Sequence, residues 1–97
     1  MLDPLRVRDF EFDMGNLPHL MKRHIQPADV WEVFFSDPVF IEDASSGSGD
    51  WRMVAPVPGG FLTIVLTESK GADETVARPI TGWPSERWEI EVYEREA

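Results

Sequence analysis

Residues 51–67 read Trp51-Arg52-Met53-Val54-Ala55-Pro56-Val57-Pro58-Gly59-Gly60-Phe61-Leu62-Thr63-Ile64-Val65-Leu66-Thr67, and the fold class follows from them. Two runs rich in aromatic and β-branched residues, 51–55 and 61–67, flank five residues whose φ is either fixed by proline or freed by glycine. That pattern predicts two antiparallel strands joined by a tight connection. C-terminal to them, 68–73 is polar and closes a second hairpin, and 74–81 supplies a further strand. Pro79 cannot donate to a ladder, so this strand is expected at a sheet edge or ending there.

Upstream, 39–42 reads as another strand and 44–50 (Ala-Ser-Ser-Gly-Ser-Gly-Asp) as a flexible, exposed loop. Residues 8–13 alternate polar and apolar with period two, which predicts a short strand with Phe10 and Phe12 inward. Asn16 is placed to cap a helix over 17–24, with Leu17, Leu20, Met21 and Ile25 on one face. Pro27 opens a second helix over 27–36, which Asp37-Pro38 stops. The C-terminal stretch 84–96 starts with proline and acids, and Trp88 and Val92 give it a narrow apolar face for docking on a sheet. Residues 1–97 therefore read as a single α+β domain. It has two short N-terminal helices, an antiparallel sheet of about four to five strands and a C-terminal helix.

Composition narrows the function. The chain has no cysteine, which removes disulfides, thiolate zinc sites and thiol catalysis and fits a reducing, cytoplasmic setting. The first thirteen residues carry acids and do not read as a signal peptide. The longest apolar run, 61–66, is far short of a membrane span, so a soluble protein is expected. Eighteen acidic against nine basic residues give a net charge of −9. Nucleic-acid binders usually carry the opposite sign, because Lys and Arg must neutralise phosphates. The balance favours a basic protein partner.

Few residues offer chemistry. His19 and His24 are five apart on different helix faces and no third ligand accompanies them, so no metal site and no cofactor is expected. Lys22-Arg23-His24 is the densest cationic cluster; it suits either a solvated helix end or a phosphate or partner contact. Arg52 and Arg78 lie mid-strand. On a shared face they could clamp a phosphate through their planar donor forks; the alternative is cross-strand pairing with Glu68, Glu74 or Asp50. Glu86, Glu89, Glu91, Glu94 and Glu96 read as a solvated face or a surface for a basic partner. Trp31, Trp51, Trp83 and Trp88 could stack bases, although aromatics in a small domain usually form core.

Three stretches carry a resemblance: Phe10-Glu11-Phe12-Asp13-Met14-Gly15-Asn16, His19-Leu20-Met21-Lys22-Arg23-His24-Ile25, and Asp29-Val30-Trp31-Glu32-Val33-Phe34-Phe35-Ser36-Asp37-Pro38. Together with Arg52 on a strand, Leu66-Thr67, Arg78-Pro79-Ile80-Thr81 and a last helix bearing Glu86 and Tyr93, the chain resembles the BrnT toxin family over roughly residues 8 to 95. The resemblance implies a RelE-like α+β fold and the toxin half of a bacterial toxin–antitoxin pair. It implies metal-independent endoribonuclease chemistry and neutralisation by an antitoxin that often carries a ribbon-helix-helix module. The positions it brings forward as catalytic are Lys22, His24, Arg52 and Arg78, with Glu86 and Tyr93 secondary. RNA and the antitoxin are the expected partners, with a homo-oligomer kept open. The alternative is a catalytically silent domain of the same fold that binds a basic partner.

Overall fold

The structure, a computed structural model, describes residues 2–43 and 50–97. A 3-10 turn (Pro4–Arg6) precedes β1 (Asp9–Phe10), α1 (Leu17–Lys22) and α2 (Pro27–Phe34). The strands β2 (Val39–Asp43), β3 (Asp50–Val57), β4 (Gly60–Glu68) and β5 (Val76–Pro84) follow, and α3 (Arg87–Glu96) closes the chain. The α+β class, the two short N-terminal helices, five strands and the C-terminal helix agree with the sequence. The predicted loop at 44–50 lies outside the described residues, apart from Asp50, which opens β3.

The sheet runs β1-β5-β4-β3-β2. The last four strands form the expected antiparallel meander, but β1 joins β5 in parallel, so the sheet is mixed. β1 is also shorter than its alternation suggested, because only Asp9 and Phe10 find partners, opposite Val76 and Ala77.

Strand alternation sorts the side chains between the faces. Met53, Ala55, Ile64, Leu66 and Ala77 point to one face and pack with Leu20 and Ile25, which flank the end of α1, and with Val30 and Val33 of α2. On α2, Trp31 and Phe34 meet Phe10 edge-on at ring-centroid distances of 4.9 and 5.2 Å. Met21, expected inward, is exposed. The other face carries Asp43, Arg52, Thr63, Thr67, Arg78, Thr81 and Trp83 by register, and α3 lies across part of it.

Three local details depart from the sequence reading. Asn16 is the N-cap residue of α1 but does not cap it with its side chain. Its Nδ2 donates instead to the carbonyls of Glu11 and Pro79 at 2.9 and 2.8 Å, and its Oδ1 accepts from the Asp13 amide. α1 stops at Lys22, and His24 turns the chain in the left-handed region at φ 61°. Pro79 lies inside β5 rather than at a sheet edge. Its carbonyl faces Asn16, so the missing N–H is on that side too, where β1 has already ended and no ladder bond is lost.

Candidate functional site

The register places Arg52 opposite Val65 and Arg78 opposite Thr67, so both arginines stand on the same sheet face with β4 between them. That is the arrangement a phosphate clamp requires. Each guanidinium is already engaged, however, and not by the acids expected.

Arg52 donates from Nη1 to Glu89 Oε2 at 2.9 Å and from Nη2 to Asp43 Oδ1 at 3.3 Å. Its guanidinium carbon lies 5.2 Å from the ring centroids of both Trp83 and Trp88. Burial disfavours its charge, but the two carboxylates outweigh that and raise its pKa. Asp43 reaches this position from the neighbouring strand, opposite Asp50, whose buried Oδ1 has no hydrogen-bond partner among the described residues.

Glu89 departs furthest from expectation. It belongs to the helix read as a solvated acidic face, yet it is 0% exposed. Its Oε1 accepts from the Glu86 amide at 2.7 Å, Thr63 Oγ1 at 3.0 Å and Trp83 Nε1 at 3.1 Å, while Oε2 takes Arg52. Thr63 spends its proton on Glu89, which leaves the Ser85 hydroxyl, 2.7 Å away, to donate to Thr63. A buried carboxylate with four donors is fully satisfied, and this one fastens α3 to β3, β4 and β5. Sequence inspection had one signal for it: Glu89 lies three residues after Glu86 at the helix start, the offset of a residue that reaches back to the first amides.

Arg78 is held from the other end of the sheet. Nη1 donates to Glu11 Oε1 and Asp13 Oδ2 at 2.9 and 2.8 Å, and Nη2 to Asp13 Oδ1 at 2.7 Å. The fork–fork pairing raises the arginine pKa and, with the Gly15 amide, holds Asp13 far below the usual carboxylate range. Lys70 adds a 3.2 Å contact to Asp13. The cross-strand partners proposed for these arginines are therefore corrected to Glu11, Asp13, Asp43 and Glu89, since the segment after β1, the neighbouring β2 and α3 bring these acids closer. Glu74 pairs with Arg6.

Of the remaining candidates, Glu86 shares a cleft with Arg52, whereas Lys22, His24 and Tyr93 do not line it. Lys22 and His24 are exposed at the end of α1. Glu86 accepts from Trp88 Nε1 at 2.7 Å. Tyr93 stands on Phe61 at 5.5 Å and is packing. His19 Nε2 lies 3.2 Å from Thr81 Oγ1, and no group of acids and histidines that could hold a metal ion occurs among the described residues. A shallow cleft of about 530 Å3 is lined by Arg23, Arg52, Trp83, Glu86 and Trp88. No helix of the described residues is long and apolar enough to cross a membrane. Comparison with family models, curated proteins and solved structures finds no match to this chain.

Proposed function

We propose that the chain is a protein-interaction module that recognises a basic partner through its acidic surface, a domain of BrnT-like design without a catalytic centre of its own. The observation that carries this reading is the double neutralisation of the strand arginines. Arg52 by Glu89 and Asp43, and Arg78 by Glu11 and Asp13, have their donor forks taken up by carboxylates. A phosphate approaching that face would have to displace intramolecular charge-assisted bonds, and would do so against a net charge of −9. The same charge favours a partner rich in Lys and Arg. A cytoplasmic toxin–antitoxin setting, with a ribbon-helix-helix antitoxin as that partner, belongs to this proposal.

One observation favours the endoribonuclease reading. Lys22, Arg23 and His24 are exposed and carry no ion pair among the described residues, and Arg23 borders the tryptophan cleft. There a phosphate could meet Arg23 and a base could stack on Trp88.

The test is to co-express the chain with the product of any short reading frame that adjoins its own, tagging only one of them, and to incubate each purified species with single-stranded RNA. A stoichiometric complex that weakens with added salt, together with intact RNA, is the expected result. RNA cleavage by the chain alone, lost in Lys22→Ala/His24→Ala, would overturn it in favour of the nuclease. Arg52→Ala/Arg78→Ala is the wrong variant here, because both arginines hold the fold together.

A further inference from the structure

One margin of the sheet runs free along β2. β2 is its last strand, with β3 as its one strand neighbour, so along residues 39–42 the outward backbone groups of every second residue have no ladder partner among the described residues. Native proteins usually shield such a margin, because it is a template for another strand. Here it coincides with a largely apolar groove of about 580 Å3.

The lining of that groove shows where it runs. Phe40 and Trp51 point to the face that packs against α1 and α2, and Leu2 and Pro4 close over them, fixed by a 3.0 Å hydrogen bond from Trp51 Nε1 to the Leu2 carbonyl. Val39 and Glu96 belong to the opposite face, on the side of α3. A recess lined from both faces of one sheet wraps around its edge. A strand added to β2 would therefore drop alternate side chains onto Phe40 and Trp51 on one side and beside Val39 and Glu96 on the other.

The charge around the groove selects the occupant. Asp3 and Glu96 line it, Glu42 is exposed on β2 itself, and no basic side chain among the described residues lines it. A second copy would bring the same acids and another net charge of −9 to the contact. We propose that β2 is a docking edge for an extended segment of a basic protein, whose residues alternate apolar with Lys or Arg and which pairs in the sheet as a sixth strand. This rests on the interaction-module reading and adds to it the surface and the bound conformation. Backbone pairing supplies affinity and the alternate pockets supply specificity.

The test uses the 15N-labelled full chain and the peptide acetyl-Val-Lys-Val-Lys-Val-Lys-amide. The expected result is amide shifts and at least ~10-fold slower hydrogen exchange centred on residues 39–42. N-methylating either all valine or all lysine nitrogens should abolish binding in one phase and spare it in the other, because only one set of amides can face β2. Leu5→Lys, at a wall residue that is 86% exposed and so neutral for folding, should weaken binding several-fold. Equal binding of both methylated peptides, or unmoved β2 amides at saturating peptide, would overturn the proposal. So would concentration-dependent protection of β2 without peptide, which would give the edge to a second copy. If the neighbouring protein binds but perturbs another surface, the edge assignment falls and the interaction module stands. If neither that protein nor the peptide binds, both fall.

Discussion

Arg52, in the middle of a central strand, donates from Nη1 to Glu89 Oε2 at 2.9 Å, and Glu89 is fully buried on a helix that is otherwise mostly charged. The last helix therefore docks differently from α2. α2 is held by Val30, Val33 and a cluster of aromatic rings. α3 is held by a carboxylate that gathers donors from three strands and its own first turn, with Tyr93 on Phe61 as its apolar support.

Glu89→Ala is expected to be among the most damaging single substitutions in α3. It would leave the Arg52 charge short of a partner and strip Thr63, Trp83 Nε1 and the Glu86 amide of their acceptor. Breaking a buried ion pair from one side costs roughly 3–5 kcal/mol. Glu89→Gln can keep its oxygen on the three neutral donors and lose only Arg52, a cost of about 1.5–3 kcal/mol for a charged hydrogen bond. Urea denaturation of both variants checks the order. Equal losses would mean that the three neutral donors add nothing to the Arg52 pair in holding the helix.

The sheet was legible in the sequence because its signals are local. The 51–67 hairpin is fixed by alternation and by the Pro-Val-Pro-Gly-Gly turn, and the Val30/Val33 stripe of α2 by helical period. The partners of Arg52 and Arg78 were not legible, because they come from long-range pairings. Glu11 and Asp13 reach Arg78 across more than sixty residues, through a parallel strand pairing that two residues establish. Glu89 was misread for a related reason. In a helix whose other glutamates face water, nothing in the pattern singles out one of them until Arg52, Thr63 and Trp83 are known to lie beneath it. Of the six candidate catalytic residues, Arg52 and Arg78 share a sheet face, as a clamp would need, and structural ion pairs occupy both.

Asp13 makes the stability depend on pH in a stated direction. Its folded-state pKa lies well below the ordinary aspartate value of 3.8, first through the Arg78 hydrogen bonds and then through the Gly15 amide. A depressed carboxylate stabilises the folded chain fully above the unfolded-state pKa. That contribution is lost as pH falls from there toward the folded-state value. Wild type should therefore lose stability on acidification below about pH 4 more steeply than Asp13→Asn. The two curves should converge at the acid end and separate again toward neutrality. Parallel curves from pH 7 down to 2 would show that the Asp13–Arg78 pair has no differential effect.

Ala72 offers a gain. It sits exposed in the β4–β5 connection at φ 55°, in the left-handed region where a Cβ crowds the following carbonyl. Relief of that strain is worth about 1–2 kcal/mol, and the greater freedom of glycine in the unfolded chain takes back about 0.4–1 kcal/mol. Ala72→Gly should therefore raise stability by several tenths to about 1 kcal/mol. Thermal denaturation at matched pH reads this as an upward shift of a few degrees; a lower midpoint would mean that the turn relies on Ala72 in another way.

Gly82 tests how Ile25, just beyond α1, sits against the sheet. A Cβ built there would stand 2.6 Å from Ile25 Cδ1 and 2.6 Å from the Thr63 carbonyl oxygen. The first obstacle is the end of a flexible side chain, and the second is the backbone of the neighbouring strand. Gly82→Ala is thus expected to cost about 1–3 kcal/mol, the usual range for overpacking a filled core. Ile25→Val alone, which trims a buried side chain, should cost about 0.5–1.5 kcal/mol. The double variant should be more stable than the sum of the two predicts, because valine lacks the Cδ1 that meets the new methyl. It should not return to the Ile25→Val level, because the Thr63 carbonyl cannot yield without moving the β4–β5 ladder. A four-variant denaturation cycle gives both numbers. Full rescue would place the whole conflict on Ile25, and strict additivity would mean that Ile25 does not press on Gly82 at all.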